Sequence, residues 1–162
     1  MVAPRVQVGN DKQQMVANQV SVRLEAEKSY LQSCVAHLIM SIVMALTIVG
    51  WFGLVVAGKL DGSYIALADD PSTSRQLALA NSQVLLIMTS IGCWSFGNMS
   101  MVLTHLYLMC VYGIYYTVVL IHPYAGFLCV LNVVTAVNHA IKLRQRNALP
   151  MPLQVQYANN AA

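Results

Sequence analysis

At 162 residues, 57% of them hydrophobic and only 9% charged, the chain cannot clothe a water-facing surface, since soluble domains carry about 25% charged residues. Its net charge of +3 is spread too thinly over the tails for nucleic-acid binding. Cys34, Cys93, Cys110 and Cys129 form no C-x-x-C pair and fall within or beside apolar stretches; this excludes a zinc finger or a disulfide framework and reads as packed free thiols.

These properties point to an all-α, polytopic membrane protein: a four-transmembrane-helix bundle with an N-terminal amphipathic helix and an extended C-terminal tail. Residues 1–30 form a polar N-terminal region. Pro4 and Gly9 argue against early helix. From Asp11 onward, Val16, Val20 and Leu24 recur at steps of four, which predicts an amphipathic helix over 12–30 leading into the first span. The first apolar run starts near residue 31, behind Glu25 and Glu27, and is too long for a signal-peptide core.

The transmembrane domain covers 31–141, with spans at about 31–57, 77–96, 99–121 and 124–141. Each is close to the roughly 20 residues of helix that cross a hydrocarbon core. Gly58 and Lys59 end the first span. Asp61-Gly62 and Asp70-Pro71-Ser72 mark turns in the loop before the second. Gly97-Asn98 turns the chain into the third span, 99–121, which carries no charged residue, and His122-Pro123 closes it. The fourth is short and holds Asn132 and Asn138. The C-terminal region 142–162 begins KLRQR and then reads as extended chain with two prolines.

Basic residues favour the cytoplasmic side. Four lie in the N-terminal region, three in the C-terminal region and two in the large loop. Four spans place both termini on one side, cytoplasmic or, in an organelle, on the matrix or stroma side.

Small residues allow membrane helices to approach closely. Ser33, His37, Ser41, Ala45, Val49, Gly53 and Ala57 recur at steps of four in the first span. Met101, His105, Met109, Gly113 and Thr117 do so in the third, and Asn132, Ala136 and Ala140 in the fourth. These stripes are expected to pack helix on helix. At 1.5 Å per residue, His37 lies ~6 to 9 Å, His105 ~9 Å and His139 ~3 to 5 Å from the same membrane face.

Three histidines from three helices at one level suggest a cofactor-binding site. Imidazoles there would ligate a haem iron or another metal, or relay protons. Met101, His105 and Met109 would suit Cu(I), although neither tail gathers metal ligands. The simpler alternative is hydrogen bonding between neighbouring helices.

No hydrolase, P-loop or dinucleotide motif occurs, and every acidic residue lies outside the spans. The expectation is a non-catalytic integral-membrane subunit, embedded in lipid and touching other membrane subunits through its tails and small-residue faces. The alternatives are a haem- or metal-binding redox protein, and a small oligomeric channel or transporter lined by Asn81, Gln83, Asn98, Asn132 and Asn138.

Overall fold

The computed structural model describes residues 5–58, 71–118 and 123–150. They form four helices: α1 (Arg5–Val56), α2 (Pro71–Cys93), α3 (Met99–Val118) and α4 (Pro123–Ala148). No strand occurs among the described residues. Three stretches, Gln13–Val56, Arg75–Cys93 and Gly126–Ala148, are long and apolar enough to cross a membrane. The apolar stretch Met99–Tyr115 in α3 is shorter. The Asp61-Gly62 turn, Asp70, His122 and residues 151–162 lie outside the described residues.

The helix ends follow from local chemistry. Gly58 stops α1 by adopting φ 68°, a left-handed conformation in which glycine suffers no Cβ penalty. The last turn tightens there, with Gly58 N donating to Val55 O at 3.2 Å. Arg75 Nη2 donates to the Val56 carbonyl at 2.9 Å, so a cation from α2 caps the negative end of α1. α2 begins at Pro71, six residues before the expected 77, and proline suits a first helical position because its missing N–H has no helical partner there. The polar residues of α2 do not break it. Ser82 Oγ donates to Ala78 O at 2.8 Å and Ser90 Oγ to Leu86 O at 2.7 Å, each serving its own helix. Gly97, at φ 65°, turns the chain. Asn98 Oδ1 then accepts from Met101 N at 3.3 Å, an N-cap for α3.

Both tails depart from expectation. α1 is helical from Arg5 through Gly9, because one interior glycine costs only about 1 kcal/mol against the length of helix around it. On this segment Val16 is half-buried, whereas Val20 and Leu24 are exposed. The face turned inward is instead Val16, Gln19, Arg23, Ala26, Glu27 and Tyr30. At the other end, α4 does not stop near residue 141 but runs to Ala148. KLRQR is made of good helix formers, and Arg146 in the last turn complements the helix dipole. Pro150 disfavours helix at the residue before it, which explains the stop.

The printed pairs fix the topology. Val56 meets Arg75 and Ser41 faces Gly92, so α1 and α2 are antiparallel. Glu27 meets Arg146, His37 meets His139 and Ser41 meets Asn132, so α1 and α4 are antiparallel too. α2 and α3 fold back at the Gly97 turn, and Gly113 of α3 faces Cys129 of α4. The result is an up-and-down arrangement in which α1 packs on α2 and α4, and α3 packs on the same two helices. Its apolar core is Met44, Ile48, Val55, Ala78, Leu85, Met88, Met109 and Cys129.

Candidate functional site

The histidine level sits above that apolar core. α1 contributes Ser33, Cys34, His37 and Ser41, all buried, at spacings of three and four. α3 contributes Val102, His105 and Met109, and α4 contributes Asn132, Ala136, His139 and Leu143. Such spacings keep side chains on one helix face.

The three imidazoles meet. His37, His105 and His139 are each no more than 1% exposed. The Nδ1 atoms of His37 and His139 are 2.9 Å apart, so one of the two must donate and the other accept. The ring centroids of His37 and His139 are 5.2 Å apart, and those of His37 and His105 are 5.0 Å apart. His37 is therefore the middle ring. His105 Nδ1 lies 3.0 Å from the carbonyl oxygen of Met88. A carbonyl only accepts, so His105 carries its proton on Nδ1 and leaves Nε2 with a lone pair. All three Nε2 atoms are buried without a hydrogen-bond partner.

Gly92 makes this approach to α2 feasible. A Cβ there would stand 2.5 Å from Ser41 Oγ and 2.6 Å from His105 Cε1. The missing side chain opens a notch through which His105 reaches the Met88 carbonyl. One layer deeper, Asn132 joins α1 and α4. Its Oδ1 accepts from Ser41 Oγ at 3.4 Å, and its Nδ2 donates to Leu128 O at 3.1 Å and approaches Met44 Sδ at 3.2 Å. On the outer side the Tyr30 ring lies 5.7 Å from His139, and the Arg146 guanidinium covers Tyr30 at 4.7 Å. Arg146 Nε is held in turn by both carboxylate oxygens of Glu27 at 2.9 Å. From the charged end inward the order is thus Glu27, Arg146, Tyr30, His139, His37 and His105.

The other expected packing residues divide. Ser33, Ser41, Met109 and Ala136 are buried, Ala45, Met101, Gly113 and Ala140 are half-buried, and Gly53 is exposed with nothing near its Cβ position. The Thr117 side chain lies outside the described residues. A strict step of four turns 400° rather than 360°, so a stripe drifts about 40° per step at 3.6 residues per turn. The buried face of α1 corrects for this by stepping from Ser41 to Met44, Ile48 and Val55, which leaves Gly53 off the seam. Of the five polar residues considered for a channel, only Asn132 is buried; Gln83, Asn98 and Asn138 are exposed and Asn81 is half-buried.

Two axial imidazoles on one haem iron place their centroids roughly 6.4 Å apart across the ring, given iron–nitrogen bonds near 2 Å. The observed 5.0 and 5.2 Å leave no slot for a porphyrin between either pair. Among the described residues no three His, Cys, Asp or Glu side chains are arranged to hold a metal ion. Met109 belongs to the apolar core, where thioethers commonly fill space. Tyr30, Gly92 and Arg146 complete the site and are silent in a reading of single helices, because each acts on a partner helix. No family model matches the chain, and neither a curated protein nor a solved structure matches it.

Proposed function

We propose that the chain is a non-catalytic integral-membrane subunit that packs within a larger membrane complex, with all four helices crossing the bilayer and both termini on one side. The observation that carries this reading is the length of α1 together with what its outer part exposes. Fifty-two residues make a helix about 78 Å long, whereas the hydrocarbon core is about 30 Å thick. The apolar run of α1 begins at Leu31, so the residues before it reach beyond the lipid. That outer part exposes Met15, Val20, Val22 and Leu24, apolar groups whose exposure marks a surface for a partner.

The membrane-level surface supports the same reading. Leu46, Ile87, Leu103, Ile114, Phe127 and Val134 point outward, while His37, Ser41, Asn132 and His139 point inward. This is the arrangement lipid favours, with polar groups joining helices. α3 packs on both α2 and α4, which supports its crossing with them.

The test is native mass spectrometry and blue-native electrophoresis after gentle solubilisation of the source membrane. The expected result is co-migration with other subunits, lost when residues 1–24 are deleted. A full-length chain that runs alone as a monomer would overturn the proposal.

A further inference from the structure

We infer that residues 151–157 lie extended along the outer part of α1, in a groove that begins where α4 ends. The groove holds about 470 Å³ and is lined by Met15, Asn18, Gln19 and Val22 of α1, together with Leu149 and Pro150. Arg23 Nη1 donates to the Pro150 carbonyl at 3.2 Å, which pins the start of the next segment to the groove. Glu27 meets Arg146 and Arg23 meets Pro150, so α4 ends pointing toward the start of α1. The residues after Pro150 therefore leave α4 heading along this groove.

Spacing matches the segment to the groove. Pro152 disfavours helix at Met151, and the run MPLQVQY alternates. Met151, Leu153, Val155 and Tyr157 fall on one face of an extended chain, and Gln154 and Gln156 on the other. Such a chain rises about 3.1–3.4 Å per residue, so Met151 to Val155 covers ~12 to 14 Å. Val22 to Met15 covers ~10.5 Å of helix at 1.5 Å per residue. Met151, Leu153 and Val155 thus reach the apolar side chains of Val22 and Met15, each more than half exposed.

The chemistry agrees as well. Residues 151–162 carry no charged side chain, and the groove's own cation, Arg23, already serves Pro150. Asn18 and Gln19 present amides that both donate and accept, which suits the N–H and C=O groups of an extended backbone. The inference does not depend on the subunit reading, but it divides the surface that reading uses. Val20 and Leu24 lie about 140° and 180° round α1 from Met15 at 3.6 residues per turn. The chain's own segment and the partner subunit then occupy opposite faces of one helix.

The experiment uses the full-length chain in mild detergent with its own four cysteines replaced. Met15→Cys should react with a soluble maleimide at least about fivefold faster once residues 151–162 are deleted, because access limits thiol reactivity. Leu153→Asp combined with Val155→Asp should have the same effect without shortening the chain. Val20→Cys should react at one rate in all three backgrounds. Asn18→Cys with Leu153→Cys should form a disulfide within one chain and Val20→Cys with Leu153→Cys should not, since bridged Cα atoms lie within about 7 Å. The inference is overturned if Met15→Cys reacts equally fast with and without residues 151–162. It is also overturned if positions 18 and 153 bridge only between chains, which would seat the segment of a second copy in the groove. Both measurements use the isolated chain, so neither bears on partner subunits, and a lone monomer with the segment docked would overturn only the subunit proposal.

Discussion

Replacing Gly92 with alanine tests whether the histidine cluster depends on the notch in α2. The new methyl would meet Ser41 Oγ at 2.5 Å, His105 Cε1 at 2.6 Å and His105 Nδ1 at 2.9 Å. Real Cβ atoms do not approach this closely, so Ser41 and His105 must move. Both are fully buried. Overpacking of this kind costs about 1–3 kcal/mol. Displacing the two side chains also disturbs the His105 contact with Met88 O and the Ser41 contact with Asn132, at about 0.6 kcal/mol each for bonds between membrane helices. Alanine returns up to about 1 kcal/mol through its better helix propensity. The net expectation is a loss of about 1–3 kcal/mol, read by SDS-titrated unfolding in mixed micelles. Two controls calibrate it. Gly50→Ala, with nothing within 4 Å of its Cβ position, should be neutral or gain up to about 1 kcal/mol. Gly113→Ala meets Cys129 Cβ at 3.2 Å and should fall between the two. A Gly92→Ala protein as stable as Gly50→Ala would refute the account of the notch.

Three further outcomes are expected. Asn132→Leu should lower unfolding stability by about 1–2 kcal/mol in the same assay, because it removes the polar link between α1 and α4, whereas Asn138→Leu should change nothing measurable. Glu27→Gln should cost less than about 1 kcal/mol, and the difference should shrink as salt rises, since both side chains of the Glu27–Arg146 pair are more than a third exposed. In a background with the four cysteines replaced, a membrane-impermeant maleimide should label Asn18→Cys and Arg144→Cys from one side and Gln76→Cys from the other. Labelling of the first two from opposite sides would remove the four-span topology.

The helices were largely legible because apolar runs and breakers coincide. Gly58 and Gly97 mark two of the helix ends, and both take positive φ. The shared level of His37, His105 and His139 was legible from residue counting, because rise per residue is constant. Their contact was not, since depth says nothing about rotation around each helix axis. The stripe of α1 shows the same limit: a step of four predicts Ser33, His37 and Ser41 well and then slides away toward Gly53. The helical extension of α4 to Ala148 is not legible in the sequence, because a charged run carries no apolar period to mark a helix. In the fold, Arg146 spends that charge on Glu27 and Tyr30 of α1, a contact no single-segment pattern contains.

The contacts that seal the polar interior join residues 91, 102 and 119 positions apart, and every one of them requires α4. Without α4, Ser41 loses Asn132, His37 loses His139 and Glu27 loses Arg146, so the polar side of α1 is closed only by the segment furthest from it in the described chain.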